Sequence, residues 1–397
     1  MKLLILASRF PYPLEKGDKL RLYHQLRGLS QQHELVLAAL SAHPPRAEHL
    51  AALRPYCSRI EVLPLPAWRL PLRLLGGLLR GLPAQVAYFF APSLLPRLRQ
   101  LIREEQPDGL FCQLIRMAPY AQAAGLPALI DYMDCFSAGT LRRAEQSGPL
   151  LRPLLRWEAR RCGRYEAAVF PAFRAHTVIS AQDLGSLPLP AQARAQVRIV
   201  SNGIDTRAFA PLPGAAAPAY AVVFVGNMGY FPNVAAARML AREIMPLVWA
   251  QRPEARLLLA GARPAAAVRA LARDARVHVS GWMPDIREAY GAGEVFAAPL
   301  FAGSGQQNKM LEALAMARPC VTTPLVNEAI GAAPGRELLV ADGAPAFAQA
   351  ILALLGDPAR GQALGAAGRA MVEARYGWEA ASRQAAAAVA GIAGIGW

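Results

Sequence analysis

The sequence predicts an α/β protein made of two Rossmann-like domains that face each other across a cleft. Short apolar runs alternate with helical stretches in two series, which a connector rich in Pro, Gly and Ala separates at 210–218. Such alternation is typical of βαβ units and of a parallel sheet buried on both faces. The 397 residues also exceed what one hydrophobic core usually fills. We predict domains at 1–205 and 206–375, and a final helix at 376–397 that could pack back on the first domain.

The first series contains apolar runs of strand length. These are Leu3–Ala7, Leu35–Ala39, Arg59–Leu63, Gly109–Cys112, Ala128–Asp131, His176–Ile179 and Arg198–Ser201. The stretches between them favour helices near 19–31, 46–54, 94–105, 116–123, 150–169 and 181–186. Because helices separate most of the strands, we expect the strands to run parallel.

The second series repeats this pattern. Its predicted strands are Ala221–Val225, Arg256–Ala260, Val277–Ser280, Val295–Ala298 and Pro319–Thr322. A helical segment follows each strand, and the chain closes with segments near 345–356, 358–374 and 378–392. The alanine-rich end at 385–397 is too short to cross a bilayer.

The chain is strongly basic, with 43 Lys and Arg against 28 Asp and Glu. Residues 1–205 hold 26 basic and 15 acidic side chains, whereas 206–397 hold 17 and 13, so the excess lies mainly in the first half. Such an excess suits nucleic acid, anionic lipid or a phosphorylated substrate. The sequence has no zinc-finger spacing, aromatic RNA-binding strand or lysine-rich arm, so we do not expect nucleic acid as a partner. A GC-rich genome would also favour arginine.

The cysteines and the apolar segments indicate a cytoplasmic protein. Five cysteines are widely spread and none forms a C-x-x-C pair, which disfavours a disulfide framework or a zinc site. The N-terminal apolar run meets Arg9 and is too short for a signal peptide, so we predict a buried strand there. No uncharged apolar run of about 18 residues occurs, and no transmembrane helix is expected.

The region 62–103 differs from its surroundings. It contains no acidic residue and six arginines among many leucines and aromatic residues. Two interpretations remain open at this point. The region could lie flat on an anionic membrane surface, at the inner face of the plasma membrane. It could instead be an amphipathic helix that packs on the sheet and leaves its arginines in water.

Residues 300–314 are the most informative for function. An apolar run precedes a glycine-rich turn, and a segment with helical spacing follows it. The turn includes Gly303, Ser304 and Gly305. A turn of this kind leaves backbone N–H groups unpaired at a helix start and makes an anion site. Lys309 adds a positive charge, and Glu312 offers a carboxylate where a ribose would lie. These parts suit a nucleotide diphosphate; the alternative is a capped surface helix with a solvated Lys and Glu.

Four stretches together resemble a known family. They are residues 8–19 (SRFPYPLEKGDK), 201–205 (SNGID), 224–233 (FVGNMGYFPN) and 303–312. Their order and spacing resemble the family 4 retaining glycosyltransferases of GT-B fold, and most closely the subgroup associated with bacterial exosortase (PEP-CTERM) polysaccharide systems. The resemblance implies a metal-independent enzyme without a cofactor. It would move sugar from a nucleotide-diphosphate sugar to a saccharide or lipid-linked acceptor in exopolysaccharide biosynthesis.

The resemblance also assigns residues in the first domain. Gly17 would let the backbone approach a phosphate or sugar at the carboxyl end of the first strand, where open parallel sheets bind ligands. Asp18, Lys19 and Arg21 are candidates for polar contacts there, although Asp18 equally suits a helix cap. Asp134 is the candidate catalytic contact to the donor sugar or the acceptor hydroxyl, with Asp131 second. Either aspartate could instead cap the next helix.

In the second domain the resemblance places Gly226, Asn227 and Asn233 beside the diphosphate. Many relatives carry Arg and Lys in the segment that contains the two asparagines, so Lys309 is expected to act as the cation and as a catalytic residue. Relatives usually have a glutamate at the position of Ser304, and many have a histidine at the position of Met133. These departures leave open which residues contact the transferred sugar.

Two other function classes remain as alternatives. A nucleotide-sugar epimerase of similar shape would interconvert donor sugars without an acceptor. A non-enzymatic basic protein that binds lipid or nucleic acid would show salt-dependent binding without turnover. An oxidoreductase of the Rossmann type is disfavoured, because no G-x-G-x-x-G follows the first strand.

Overall fold

A computed structural model of the protein describes residues 1–145, 147–212, 217–301 and 307–393. The chain divides into two compact units, Met1–Asn202 with Trp378–Trp397 and Gly203–Gly377. In each unit the described strands form one parallel sheet between helices. The prediction of two Rossmann-like α/β domains is therefore confirmed.

The sheet of the first unit contains seven strands within the described part of the chain. They are β1 (Lys2–Ala7), β2 (Glu34–Ser41), β3 (Arg59–Pro64), β4 (Gly109–Gln113), β5 (Ala128–Asp131), β6 (Ala175–Val178) and β7 (Val197–Ile199). Their order is β3-β2-β1-β4-β5-β6-β7, and every pair is parallel. Alternate residues of β1 point to opposite faces: Leu4 and Leu6 enter one apolar core, while Leu3 and Ile5 enter another. Both faces are buried, as the continuous apolar runs predict.

The helices of the first unit fill the connections between these strands. They are α1 (Gly17–Leu29), α2 (Ala47–Ala51), α3 (Leu70–Leu79), α4 (Ala84–Ala87), α5 (Leu95–Glu105), α6 (Ala118–Ala124), α7 (Phe136–Glu145), α8 (Arg152–Val169), α9 (Ala181–Ser186) and α10 (Ala191–Arg194). The predicted strand and helix positions agree with these bounds to within a few residues. The exceptions are α4, α7 and α10, which were not predicted, and α3, which falls in the region 62–103 for which two interpretations were left open.

The second unit repeats the architecture with six described strands. They are β8 (Tyr220–Val225), β9 (Leu257–Ala260), β10 (Val277–Gly281), β11 (Gly293–Ala298), β12 (Cys320–Thr322) and β13 (Leu339–Val340), in the order β10-β9-β8-β11-β12-β13. The helices are α11 (Phe231–Met239), α12 (Met245–Trp249), α13 (Ala266–Arg269), α14 (Ile286–Gly291), α15 (Asn308–Ala315), α16 (Pro324–Ile330), α17 (Ala344–Gly356) and α18 (Pro358–Tyr376). The sequence analysis missed β13, because two residues are too few to show a periodic pattern.

The chain ends with α19 (Trp378–Ala390), which belongs to the first unit. The Trp378 ring stacks on the His24 ring of α1 at 4.0 Å between centroids. Val389 is buried in the core beneath β1. Gly28 of α1 allows this contact, since a Cβ there would lie 2.3 Å from Ser382 Oγ. The final helix is therefore held to α1 by ring stacking and close backbone packing.

Candidate functional site

Each sheet has one point at which the strand order reverses. In the first unit this point lies between β1 and β4, and in the second between β8 and β11. Helices leave on opposite faces on either side of such a point, so the loops at the carboxyl ends of the two strands open a crevice that binds ligands. The predicted site residues follow β1, β5, β8 and β11 in sequence, and the structure shows the surroundings of those that lie within the described ranges.

The loops after β8 and β9 lie in close contact. A Cβ on Gly261, whose φ is +132°, would lie 1.9 Å from the carbonyl oxygen of Gly226. A Cβ on Gly226 would lie 2.7 Å from Asn233 Nδ2. The Gly226 N–H donates to the Ala260 carbonyl at 3.0 Å. The backbone at Gly226 is thus fixed. A larger residue at Gly261 would push the two loops apart, and one at Gly226 would displace the Asn233 side chain.

The two asparagines after β8 have different roles. Asn227 is exposed, and its Oδ1 accepts a hydrogen bond from the Gly229 N–H at 3.0 Å. Asn233 is buried at the start of α11, and its Nδ2 donates to the Asn227 carbonyl at 2.9 Å. The Oδ1 of Asn233 then accepts from Lys309 Nζ. Asn233 therefore links the loop after β8 to α15.

Lys309 is a desolvated cation with a neutral partner. It lies on the first turn of α15, hydrogen-bonded to Asn233 and 5.2 Å from the centre of the Phe224 ring. Burial lowers the pKa of Lys309 to about 8, and the charge of Glu312 opposes this shift. The ammonium group is therefore still mostly charged at neutral pH. An amide oxygen does not neutralise it, so it can attract an anion strongly in this low-dielectric setting.

Glu312 lies one turn further along α15 and has a buried partner. Its Oε2 accepts a hydrogen bond from the Tyr290 hydroxyl of α14 at 2.6 Å. Burial raises the pKa of Glu312, while Tyr290 and Lys309 pull it down. Tyr290 fixes the carboxylate and leaves its other oxygen as an acceptor for a ligand hydroxyl.

Three predicted binding residues lie outside the described residues: Gly303, Ser304 and Gly305. The described chain resumes at Gln307, and α15 begins at Asn308. The amide-lined turn between β11 and α15 therefore remains a prediction from sequence.

In the first unit, Arg21 and Asp131 form a buried ion pair. Arg21 Nε and Nη2 donate to the two carboxylate oxygens of Asp131 at 2.7 and 3.0 Å. Asp131 also accepts from Gln25 and from Thr177, and Arg21 Nη1 donates to Asn202. Burial alone would raise the pKa of Asp131, but the Arg21 charge and these hydrogen bonds hold it below its ordinary value. The polar groups of both side chains are hydrogen-bonded within the unit. They hold α1 against β5 and β6 and offer no exposed group to an acceptor.

Asp134 lies beyond the end of β5 in a different environment. It is half-buried, and among the described residues no hydrogen bond or ion pair to it is present. Burial and the neighbouring charge of Asp183 raise its pKa to about 7. Its neighbour Met133 has a φ of +61° and packs near Gly17, where a Cβ would lie 3.7 Å from the methionine methyl group. The structure thus brings the loops after β1 and β5 together and leaves Asp134 free to accept or donate a proton.

Asp18 does not cap α1 with its side chain, because the residue before the helix is Lys16 and no side-chain cap is present there. The Asp18 carboxylate pairs with Arg9 and lies 4.0 Å from Arg116 Nη1. Lys19 is partly buried beside it, and burial lowers its pKa. Asp18 therefore interacts with cations that follow β1 and β4.

The sequence analysis missed Arg116 and Tyr290 as site residues. Arg116 lies three residues after the end of β4, and a charge soon after a buried strand is a signal that could have found it. Tyr290 gave no such signal, because its contact with Glu312 joins two helices that are distant in sequence. In the described part of the chain, no group of three or more His, Cys, Asp or Glu side chains is placed to hold a metal ion.

The match to a protein family lies within the second unit of the chain. Residues 219–357, which include β8 to α17, match the family model described as Glycosyl transferases group 1. A segment of 147 residues is 33% identical to a GDP-mannose-dependent monoacylated alpha-(1-6)-phosphatidylinositol monomannoside mannosyltransferase of Corynebacterium glutamicum. That match covers 34% of this chain and 39% of the curated relative, so the chain matches well under half of that relative's length.

Solved structures match the whole chain. A sucrose-phosphate synthase from Thermosynechococcus elongatus aligns with a TM-score of 0.72 at 18% identity, covering 100% of both chains. Anabaena HepE in complex with UDP aligns with a TM-score of 0.69 at 15% identity, covering 98% of this chain and 100% of the other. At these identities the likeness shows the fold, which is that of GT-B glycosyltransferases.

Proposed function

We propose that this protein is a glycosyltransferase that uses a nucleotide-diphosphate sugar, with the nucleotide bound by the second unit and the acceptor by the first. The observation that carries the proposal is Lys309, a buried cation held by a neutral amide at the point where the second sheet reverses its strand order. The match of residues 219–357 to the glycosyltransferase family model supports it. The relatives also support it, because one is named as GDP-mannose-dependent and another was solved with UDP.

The proposed reaction retains the configuration at the anomeric carbon. The bond between that carbon and the β-phosphate oxygen breaks as the acceptor oxygen bonds to the same face. The acceptor proton passes to the departing phosphate oxygen. Lys309 stabilises the charge that develops on the diphosphate, and Glu312, oriented by Tyr290, accepts hydrogen bonds from ribose hydroxyls. Asp134 contacts the acceptor hydroxyl or the donor sugar. This scheme uses no protein nucleophile and no metal ion. Unchanged turnover in EDTA would support a reaction without a metal ion.

The first test is a panel of UDP-, GDP-, ADP- and TDP-sugars, measured by thermal stabilisation and by turnover. A ligand that binds only the folded state adds about 2.7 kcal/mol of stability at 100 times its Kd. We expect one nucleotide class to stabilise the protein and to release nucleoside diphosphate when acceptor is added. Interconversion of donor sugars without acceptor would instead identify an epimerase, and steep salt-dependent binding without turnover would identify a binding protein.

We further propose that the acceptor is a lipid-linked saccharide at the inner face of the membrane. No helix among the described residues combines the length and the apolar character needed to cross a bilayer. However, α3 turns leucines to solvent, with Leu75 57% and Leu79 80% exposed. Beside it lies a cavity of about 470 Å³ lined by apolar residues and by Arg69, Arg73 and Arg80. Exposed leucines beside arginines, in a stretch without acidic residues, suit an anionic bilayer surface.

The membrane proposal is tested by flotation with vesicles of anionic or neutral phospholipid. We expect binding to anionic vesicles, reduced in the double variant Leu75→Ser/Leu79→Ser. Leu247→Ser, an exposed leucine on α12 of the second unit, is the matched control. Equal flotation of all three proteins would remove α3 from the proposal.

Assignment to family 4, to the exosortase-associated subgroup and to exopolysaccharide biosynthesis is also part of the proposed function, with the motif resemblance as its support.

A further inference from the structure

We propose that Arg9 and Arg116 form a binding site for a phosphate group carried by the acceptor. This inference rests on the proposed function, since it names the chemical class of the acceptor that the first unit takes. The ligand chemistry is a phosphate monoester or diester, either as a lipid headgroup or on a free sugar phosphate.

The two guanidinium groups lie against the same aromatic ring. The Arg9 guanidinium carbon is 5.4 Å from the centre of the Phe89 ring, and that of Arg116 is 4.9 Å from it. Arg116 also lies 4.7 Å from the Phe136 ring, so it is held between two aromatic side chains. The planar group is thereby fixed in one orientation, which favours two-point hydrogen bonding to a phosphate.

These two cations share one carboxylate. Asp18 pairs directly with Arg9 and lies 4.0 Å from Arg116. Arg116 Nη2 donates to the neutral Gln85 amide at 3.0 Å, and its buried Nε has no hydrogen-bond partner among the described residues. Two positive charges that share one carboxylate repel each other and favour a bound anion. The pKa of Arg116 reflects this environment, because burial and the Arg9 charge lower it to about 10.

The position of the pair is that of a ligand site. Arg9 follows β1 and Arg116 follows β4, and the order of the first sheet reverses between these two strands. The Arg9 side chain keeps 32% of its surface exposed, so the pair is open to solvent on one side. Asp134 is close enough to influence the charge of Arg116. A phosphate on the arginines would therefore place the rest of the acceptor near the proposed catalytic aspartate.

A purely structural role is the competing explanation, because arginines often stack on aromatic rings without binding a ligand. The first unit contains a matched example. Arg161 lies 4.4 Å from the Trp157 ring and donates to the Leu82 carbonyl. Arg161→Gln therefore controls for the loss of an arginine–aromatic contact within the same unit.

The experiment titrates the full-length protein with phosphate compounds by calorimetry. All samples carry Lys309→Ala, so that the second unit's cation does not contribute. The probes are inorganic phosphate and octyl phosphate, which stand for a free phosphate and for a lipid headgroup. We expect binding that weakens about tenfold or more in Arg9→Gln and in Arg116→Gln but not in Arg161→Gln. Tighter binding of octyl phosphate than of inorganic phosphate assigns a lipid headgroup, and equal binding assigns a free phosphate.

The outcomes separate this inference from the proposed function. Failure of both probes to bind, or equal binding in all variants, would overturn the phosphate site. Phosphate binding, combined with no turnover of any nucleotide sugar by protein with Lys309 intact, would keep the site and contradict the transferase. In protein with Lys309 intact, Arg9→Gln should raise the KM for a phosphorylated acceptor and leave the KM for the nucleotide sugar unchanged. Arg9 is partly exposed, so this variant tests the inference even if Arg116→Gln does not fold.

Discussion

The two units differ in the partners of the cations that lie where the strand order reverses. In the second unit Lys309 has the neutral amide of Asn233 as its partner. In the first unit Arg9 and Arg116 share the carboxylate of Asp18. The nearby Arg21–Asp131 pair is different again, because its charges neutralise each other in the interior. The comparison teaches that the partner, and not the cation alone, decides how far a positive charge is neutralised, and we expect the less neutralised cations to be the ones available to a ligand.

The largest expected effect is a loss of stability on breaking the buried Arg21–Asp131 ion pair. Arg21→Met leaves the Asp131 carboxylate buried without its counterion, and breaking such a pair costs about 3–5 kcal/mol of unfolding free energy. Urea denaturation of the variant measures this loss. The double variant Arg21→Met/Asp131→Leu should recover much of it, because no charge then remains buried. An unchanged midpoint in the single variant would show that the pair does not hold α1 to the sheet.

Removing the cation of the second unit should mainly affect turnover. Lys309→Ala takes away the charge proposed to stabilise the diphosphate, and loss of one such preorganised group typically lowers kcat by about 10²–10³-fold. The denaturation midpoint should change little by comparison. Lys2→Ala, which loses surface ion pairs to Glu34 and Glu105, is the control and should leave kcat and KM unaltered. Normal turnover in Lys309→Ala would exclude this lysine from the chemistry.

The titration of Asp134 should appear in the pH dependence of stability. Burial raises its folded-state pKa to about 7, well above its value in the unfolded chain, so the folded protein binds the proton more tightly. Stability from this group is therefore present at low pH and declines as pH rises from about 4 to 7. Asp134→Asn should flatten that decline in melting temperature, while Asn at the exposed Asp342 should not. A parallel decline in wild type and Asp134→Asn would assign the slope to other groups.

The smallest effect should come from Tyr290→Phe. This change removes one hydrogen bond to Glu312, worth about 1 kcal/mol, and leaves the ring packing in place. We expect several-fold weaker binding of the nucleotide sugar with little change in binding of the diphosphate alone, because Glu312 is expected to contact the ribose and not the phosphates. Calorimetric titration with nucleoside diphosphate, which carries the ribose, and with inorganic pyrophosphate, which does not, separates a ribose contact from a phosphate contact. Equal weakening for both ligands would argue against a ribose contact.

Much of the fold could be predicted from sequence, because buried parallel strands form continuous apolar runs. The runs at Leu3–Ala7 and Ala128–Asp131 match β1 and β5 closely. The helix α7 was missed, and its start depends on a distant side chain, since the buried Glu166 accepts from the Phe136 N–H at 2.7 Å. Local sequence carries no record of that contact.

The candidate site could be predicted only in part, for a related reason. Lys309, Glu312 and Asp134 stand out because charged residues directly follow predicted strands or start a helix. Their contacts do not stand out. Asn233 was expected from the family resemblance but not as the partner of Lys309, and Tyr290 reaches Glu312 from another helix without any signal in the sequence. The reverse error concerns Arg21 and Asp131, which resemble ligand-binding residues by position but satisfy each other in the interior. Pattern locates charges along the chain, whereas only three-dimensional packing shows which of them remain available.

If the proposed function holds, the close approach of Gly226 and Gly261 limits how a donor preference could be re-engineered. Both positions must stay glycine in any variant library, because a methyl group on Gly261 would collide with the Gly226 carbonyl and one on Gly226 would collide with the Asn233 side chain. Useful diversity is better placed at the exposed side chains of Asn227, Tyr230 and Phe231, although replacing Asn227 also removes its hydrogen bond from the Gly229 N–H. A selection for a new sugar would be expected to recover changes at these three positions while the two glycines stay constant.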